Sequence, residues 1–127
     1  APIGMKFYDG SMFPDYYRNG IFVAQHGSWN RSSKVGYKVL FMKIKDGLIE
    51  SSEVFLDGWL EGESTWGAPA APLVLRDGSM LISDDLTSNL NCILNSLIAL
   101  LRFLAITYFE SSFLRKKINF FGYFILC

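Results

Sequence analysis

The sequence contains the run Tyr37-Lys38-Val39-Leu40-Phe41-Met42-Lys43-Ile44, and the turn dipeptide Asp46-Gly47 follows it closely. The run partly alternates in polarity, as expected of a strand with one face closer to water. Gly adopts a positive φ without steric cost, and an Asp or Asn before it tolerates the same turn geometry. The pattern therefore predicts a hairpin around Asp46-Gly47, for which a two-residue type I′ turn is one form.

The same alternation of short runs and turns continues to residue 89. Further turn dipeptides are Asp9-Gly10, Asn19-Gly20, Asp57-Gly58 and Asp77-Gly78. Further strand-like runs are Ile21–Ala24, Val54–Leu56, Leu73–Leu75 and Met80–Ile82. No stretch in this part shows a sustained apolar period of 3.6 residues. Residues 1–89 are therefore predicted to be all-β, with strands spaced as in a sandwich, a barrel or a propeller blade, and with a second hairpin around Asp77-Gly78.

Composition divides the chain near Ser88-Asn89. Residues 1–89 hold ten of the eleven glycines, all four prolines and all three tryptophans, and their formal charge is −3. Residues 90–127 hold both cysteines, and half of their side chains are Leu, Ile or Phe. We therefore divide the chain into a β segment over residues 1–89 and a hydrophobic tail of unrelated character over residues 90–127.

Charge and rare residues exclude several classes of function. The 12 basic and 12 acidic residues balance, so the clustered cations that bind nucleic acid are missing. A single histidine, His26, excludes a multi-histidine metal site. Cys92 and Cys127 cannot form a disulfide framework or a four-ligand zinc site, and we expect buried free thiols. We expect the start, Ala1-Pro2-Ile3-Gly4, to be the interior of a longer chain and not a signal peptide, because it has no basic or apolar region of that kind.

A polar loop, His26-Gly27-Ser28-Trp29-Asn30-Arg31-Ser32, follows the predicted strand Ile21–Ala24. Loops at strand ends often carry the function of β proteins. The structural alternative is that Trp29 covers the strand ends, Arg31 pairs with a surface carboxylate and His26 satisfies backbone groups.

Asp84-Asp85 follows the predicted strand Met80–Ile82. Two adjacent carboxylates can serve metal binding or acid–base chemistry. More often such a pair begins a turn, because the Asp side chain hydrogen-bonds to its own backbone further along the chain.

Several motifs follow one another in a defined order and spacing. They are Ala1–Tyr8, Phe13–Gly20, the run Ile21-Phe22-Val23-Ala24-Gln25-His26-Gly27-Ser28-Trp29-Asn30-Arg31-Ser32, Gly36–Val39 and Asp77–Asp85. Together they resemble the C-terminal part of the glucose/sorbosone dehydrogenase family, closest to its L-sorbosone dehydrogenase-like branch, over about residues 1–86. The run from His26 to Arg31 is the most specific of these motifs.

The resemblance implies a periplasmic or extracellular quinoprotein that oxidises aldoses or sugar aldehydes. Its fold would be a six-bladed β-propeller with pyrroloquinoline quinone over the axis and calcium beside the cofactor. This chain would supply the C-terminal blade or blades. Arg31 would then bind a carboxylate of the cofactor, because its forked guanidinium suits that group, and His26 and Asn30 would hydrogen-bond to it. No catalytic residue or metal ligand is assigned here, because the family carries its histidine base and calcium ligands on earlier blades.

One position departs from the family pattern. Relatives often have Trp-Gly-Arg-Pro before the penultimate strand, where this chain has Trp66-Gly67-Ala68-Pro69. Ala68 cannot supply a cation, so we expect a weakened cofactor site.

The tail differs from the family in another way. The family closes its last blade with one more strand, and we expect that strand to be missing after Asp85. Three interpretations of residues 90–127 compete: a membrane-spanning helix over residues 90–109, a buried amphipathic helix, and a frameshifted or read-through end. Arg102 near the middle of the span opposes the first, and the loss of Gly, Pro and Trp favours the third. A helical or poorly ordered tail is therefore expected.

Two functions are compatible with these features. The first is a fragment of a sugar dehydrogenase, an oxidoreductase by resemblance, which is inactive as this chain alone and whose partner in the intact enzyme is a sugar. The alternative is a non-catalytic β module, tethered to a membrane through residues 90–109.

Overall fold

The computed structural model describes residues 1–93 and 125–126, where all regular structure is β-strand except one 3₁₀ turn at Asp15–Tyr17. The all-β prediction is therefore confirmed. The strands are β1 (Pro2–Phe7), β2 (Ile21–Gln25), β3 (Lys38–Lys45), β4 (Leu48–Leu56), β5 (Leu60–Glu61), β6 (Ser64–Thr65), β7 (Pro69–Val74), β8 (Met80–Asp84), β9 (Asn89–Ile93) and β10 (Ile125–Leu126).

The strands form two four-stranded antiparallel sheets and one small ribbon. The first sheet has the order β1-β2-β3-β4, and the second has the order β10-β9-β8-β7. Strands β5 and β6 pair with each other in the connection between the two sheets. Strands β1 to β4 form a meander in which neighbours along the chain are neighbours in space, and strands β7 to β9 pair in the same way.

Both predicted hairpins are present, with different turns. Asp46 (φ 52°) and Gly47 (φ 78°) link β3 to β4, and two successive residues with positive φ are the mark of a type I′ turn. The β7–β8 hairpin has a longer loop, in which the Leu75 N–H donates to the Ser79 carbonyl oxygen at 2.8 Å. Gly78 supplies the positive φ in that loop.

The strand expected to be missing after Asp85 is present. Strand β9 pairs antiparallel with β8, with Asn89 opposite Asp84 and Ile93 opposite Met80, and its far edge pairs with β10. This strand was not predicted, because the composition changes near Ser88-Asn89, where the strand begins. The apolar residues from that point on look like the start of a different segment.

The three interpretations of the tail concern mostly residues 94–124 and 127, which lie outside the described residues. Within the part of the chain that the structure describes, no helix has the length and apolarity needed to cross a membrane.

The core lies between the two sheets. The first sheet contributes the buried side chains of Phe22, Ala24, Val39 and Phe41, and the second contributes Met80 and Ile82. Strand β7 packs across β1 and β2 so closely that a Cβ at Gly4 would lie 2.7 Å from the Ala71 Cα. A side chain at Gly4 would therefore push the sheets apart.

Tyr8 links the two sheets at one end of this core. Its ring is fully buried and stacks on Phe13 with centroids 4.7 Å apart. Its hydroxyl donates to the Gly78 carbonyl oxygen and accepts from the Phe13 N–H, both at 2.8 Å. Burial raises the pKa of the Tyr8 phenol, so the hydroxyl keeps the proton that it donates.

Tyr8→Phe should lower the free energy of unfolding by about 1–3 kcal/mol, because a buried N–H and a buried carbonyl lose their partner. Urea denaturation measures the change. The matched control is Tyr16→Phe, which removes a hydroxyl from an exposed side chain; it should change stability by less than ~0.5 kcal/mol. Equal effects of the two variants would contradict the bridging role.

Asp77 gives the β7–β8 hairpin a dependence on pH. Its Oδ1 accepts from the Ser79 hydroxyl at 2.6 Å and from the Ser79 N–H at 2.9 Å, and these bonds lower the pKa of the carboxyl from its usual value of 3.8. A lowered pKa means that the folded state favours the carboxylate, so this stabilisation is present above the usual pKa and is lost as the pH falls through the lowered one.

Asp77→Asn should therefore destabilise the fold most at neutral pH, and the difference from the parent protein should shrink as the pH falls below about 4. Urea denaturation at a series of pH values between neutral and strongly acidic measures that difference. A difference that stays constant over the whole series would show that the carboxylate charge does not contribute.

Candidate functional site

Three motifs singled out in the sequence meet at one end of the two sheets. His26 follows β2, Ala68 precedes β7, and Asp85 follows β8. His26 Nε2 lies 3.0 Å from Asp85 Oδ2, and the Asp85 N–H donates to the Ala68 carbonyl oxygen at 3.1 Å. The fold thus brings the loop after β2 to segments that lie far from it in the sequence.

The His26 side chain faces Asp85. The ring is partly exposed, whereas its Nε2 atom has no accessible surface. The contact with Asp85 is within ion-pair distance but lacks the geometry of a hydrogen bond, so its strength depends on protonation of the imidazole. His26 therefore ties the loop after β2 to the turn after β8.

The base of the His26 loop is held by a compact set of contacts. The Tyr37 hydroxyl donates to the Ser28 carbonyl oxygen at 2.8 Å, and Ser28 Oγ accepts from the Val35 N–H at 3.0 Å. Gly27 has φ +122° and lies against the Tyr37 ring, which leaves no room for a Cβ. Tyr37 itself adopts a left-handed conformation (φ 55°), and its hydroxyl bond holds it there.

The tip of the loop projects into solvent. Trp29 is 97% exposed, and Asn30 and Arg31 are exposed beside it. The alternative in which Trp29 covers the strand ends is therefore wrong. Within residues 1–93 and 125–126, Arg31 forms no ion pair, so the surface pairing considered for it is absent there. In the structure, His26 contacts Asp85, whereas Asn30 and Arg31 are exposed to solvent.

Glu63 fixes the side of the loop that leads back to β3. Its carboxylate accepts from the Lys34 N–H at 2.9 Å and from the Ser33 hydroxyl at 3.3 Å. Glu63 was not singled out from the sequence, because its place in the turn between β5 and β6 gives no sign of a contact with a distant loop. The loop is thus held at both ends and open at its tip.

Asp84 is a buried structural carboxylate. Its Oδ1 accepts from the N–H groups of Leu86, Thr87 and Ala68 at 3.0–3.1 Å, and its Oδ2 accepts from the Trp59 indole at 2.8 Å. The first two bonds confirm that Asp84-Asp85 begins a turn. The bond to Trp59 was not predicted, because nothing in the sequence joins two residues so far apart along the chain.

The described residues hold no group of three or more His, Cys, Asp or Glu side chains that could bind a metal ion.

Ala68 lies in the segment where the sequence resemblance predicts an arginine. Its side chain is buried, and its N–H donates to Asp84. Gly67 next to it approaches the Asp84 carboxylate and the Trp59 ring so closely that a Cβ would collide with both. This segment contributes backbone rather than charge to the candidate site.

An open cleft of about 320 Å³ lies at the opposite end of the sheets, between the loop after β1 and the β7–β8 turn. Its lining includes Lys6, Asp9 and Arg76. Because Lys6 and His26 lie near opposite ends of the β1–β2 pair, the cleft is separate from the candidate site.

Comparison with known proteins finds a relative in Borreliella burgdorferi, described as an uncharacterized protein. It is 44% identical to the chain over 88 residues, which are 67% of this chain and 23% of the relative. The chain thus spans about a quarter of the length of that relative. No family model matches the chain, and no solved structure matches it.

Asp84→Asn should lower the free energy of unfolding by about 2–4 kcal/mol, because an amide N–H₂ would face the Trp59 N–H and leave two donors opposed in a buried site. The matched control is Asp85→Asn on the exposed neighbour, which should change stability by less than ~1 kcal/mol. Urea denaturation followed by tryptophan fluorescence measures both. Similar losses in the two variants would contradict a special role for Asp84.

Proposed function

We propose that the chain is the C-terminal part of a pyrroloquinoline quinone-dependent sugar dehydrogenase of the glucose/sorbosone dehydrogenase type, of periplasmic or extracellular location. When bound, the quinone cofactor of such an enzyme accepts the electrons removed from an aldose or a sugar aldehyde. The role of this chain in that enzyme is to form one side of the cofactor site. The chain alone does not oxidise sugars.

The observation that carries the proposal is the combination of two four-stranded antiparallel sheets with one exposed loop. Consecutive four-stranded antiparallel sheets, packed face to face through their first strands, are the arrangement of successive propeller blades. On this proposal the first and second sheets are two neighbouring blades. The longer Borreliella relative has room for further sheets, since the match spans 23% of it.

The loop between β2 and β3 fits a role in binding an anionic cofactor. Arg31 is an exposed cation, and a guanidinium binds a carboxylate through two parallel hydrogen bonds. Asn30 beside it offers an amide donor and acceptor. The contacts of Ser28, Tyr37 and Glu63 hold both ends of the loop, so less conformational entropy is lost when a ligand binds. His26 acts by holding this loop against Asp85.

One side of a cofactor site is not sufficient for catalysis. Oxidation of a sugar requires a proton acceptor, the cofactor and the substrate in one fixed arrangement, because positioning supplies much of the rate. The buried Ala68 adds no positive charge to this end of the sheets. Asn30 and Arg31 can bind and orient a ligand, whereas neither an amide nor a guanidinium accepts a proton at neutral pH.

The chain alone should show no dye reduction with pyrroloquinoline quinone, calcium and a panel of aldoses and sorbosone. It should bind the quinone weakly, with quenching of the exposed Trp29. Arg31→Ala should weaken that binding about two- to five-fold, the range of a single exposed ion pair. The quinone affinity of Arg31→Lys should fall between those of the parent chain and Arg31→Ala, because lysine keeps the positive charge but lacks the forked guanidinium. Fluorescence titration and a dye assay measure the two effects.

The matched control is Arg18→Ala, since Arg18 is an exposed cation that pairs with Asp15 away from the loop. It should bind the quinone as the parent chain does. Turnover by the chain alone that disappears in Arg31→Ala would contradict the inactive-fragment proposal. Quinone binding that is absent, or unchanged by Arg31→Ala, would favour the non-catalytic β module instead.

A further inference from the structure

The open cleft at the end of the sheets opposite the candidate site has walls from both sheets, and we call it the distal cleft. Its volume of about 320 Å³ is at the small end of the ~300–1,000 Å³ range of ligand sites. Lys6, Asp9 and Ser11 line it from β1 and the loop that follows, and Leu75 and Arg76 line it from the β7–β8 turn. A molecule in the distal cleft would therefore contact both sheets.

Lys6 is a cation on the inner face of the first sheet. It lies directly opposite Phe22 on β2, and Phe22 lies opposite Phe41 on β3. Residues directly opposite one another point to the same side of a sheet. The two phenylalanines are buried in the core, whereas Lys6 is half-buried. Because an ammonium group is costly to bury, the Lys6 side chain must leave the core, and it does so at the distal cleft.

Three charged side chains line the distal cleft without pairing with one another. Within the part of the chain that the structure describes, Lys6, Asp9 and Arg76 form no ion pair, so both cations lie beyond ion-pair distance from the Asp9 carboxylate. Asp77 belongs to the same turn as Arg76, but its carboxylate accepts two hydrogen bonds from Ser79. The lining of the distal cleft thus offers two cations and one carboxylate to a molecule placed between them.

The two walls of the distal cleft are held at a fixed spacing. The Tyr8 hydroxyl donates to the Gly78 carbonyl oxygen and accepts from the Phe13 N–H, both at 2.8 Å, so it joins the loop after β1 to the β7–β8 turn. The same two segments touch where a Cβ at Gly10 would lie 2.8 Å from the Gly78 Cα. A cleft whose backbone is fixed before binding loses less conformational entropy when a ligand enters.

We infer that the distal cleft binds a small hydroxylated anion, a molecule that carries a carboxylate or phosphate group next to hydroxyl groups. Lys6 and Arg76 bind the anionic group, and the Asp9 carboxylate accepts hydrogen bonds from the hydroxyls. The inference rests on the charges and the geometry of the distal cleft. It does not rest on the quinone cofactor or on the proposed activity.

The combination of charges selects this class of ligand over three simpler ones. A simple anion would be attracted by Lys6 and Arg76 and repelled by Asp9, which it gives no hydrogen-bond donor. A ligand with an ammonium group would suit Asp9 but would be repelled by both cations. An uncharged polyol would leave both cations without a partner. Hydroxyl groups donate to a carboxylate and carry no charge, so a hydroxylated anion satisfies all three side chains.

The test titrates the 127-residue chain with probes that share one carbon chain: gluconate, sorbitol 6-phosphate and uncharged sorbitol. Acetate and inorganic phosphate supply the anionic groups without hydroxyls. Calorimetry measures the affinity, and NMR shows which amides respond. At least one hydroxylated anion should shift the amide resonances of Gly10, Ser11 and Arg76, and it should bind at least about three-fold more tightly than sorbitol and than the simple anion with the same charged group. The tighter of the two hydroxylated anions identifies the anionic group that the cleft prefers.

Substitutions in the distal cleft should change the affinity for the hydroxylated anion in a defined way. Lys6→Gln and Arg76→Gln should each weaken its binding about two- to five-fold, the range of a single exposed ion pair. Asp9→Ala should weaken binding of the hydroxylated anion and strengthen binding of acetate, because it removes both an acceptor for hydroxyls and a repulsive charge. The matched control is Lys38→Gln, since Lys38 is a half-buried lysine opposite Gln25 at the other end of the first sheet. It should bind every probe as the parent chain does.

Three outcomes overturn the inference. The first is that no probe shifts the amides of the distal cleft. The second is that acetate and phosphate bind as tightly as the hydroxylated anions, or that Lys38→Gln weakens binding as much as Lys6→Gln, which would mean attraction by charge alone. The third is that Arg31→Ala, which should bind the hydroxylated anion as the parent chain does, is the variant that loses it.

Circular dichroism of each variant checks that it folds. If Lys6→Gln does not fold, Arg76→Gln and the opposite effects of Asp9→Ala on the two kinds of anion still decide the result. The proposed quinone site is tested through Arg31 and the distal cleft through Lys6 and Arg76, so the inference and the proposed function fail separately.

Discussion

The carboxylate of Asp84 is the interaction on which the second sheet and the connection that leads into it depend. A buried carboxylate is costly unless it is hydrogen-bonded, and this one receives four N–H donors from three separate segments. It thereby fixes the start of β7, the turn into β9 and the indole of Trp59, which precedes β5. Gly67 packs so closely against the same carboxylate that a side chain at this position would collide with it.

Tyr8 performs the complementary task at the other end of the core. Its hydroxyl joins the loop after β1 to the β7–β8 turn, and its ring joins a cluster of aromatic side chains from the first sheet. Tyr8 therefore holds the two sheets together at this end, whereas Asp84 fixes the second sheet and the segment before it. The loop after β2 is attached to this frame at its base, so its tip can differ in sequence without cost to the core.

The local features of the fold could be predicted from the sequence, and the distant pairings could not. Asp46 and Gly47 specify their turn because both residue types tolerate a positive φ. The β3–β4 hairpin could therefore be predicted from the local sequence alone. Strand β1 was not predicted, because Pro2 and Gly4, residue types that are rare in strands, weaken the alternating pattern of Ile3, Met5 and Phe7. Strand β9 was not predicted, because the composition changes at the point where this strand begins and its pairing with β8 is visible only in the structure. The partners of Asp84 and the contact of His26 with Asp85 depend on the stacking of two sheets, which no local pattern contains.

On the proposed function, the geometry of His26 fits a residue that positions the loop rather than one that moves a proton. A general base must come within hydrogen-bond reach of the proton that it takes. The Nε2 atom faces Asp85 and has no accessible surface, so a sugar hydroxyl cannot approach it, and only Nδ1 is left for other contacts. Being the single histidine of the sequence therefore does not make it the base. The contact with Asp85 instead joins the first sheet to the second, and through that joint the stacking of the sheets sets where Asn30 and Arg31 are presented.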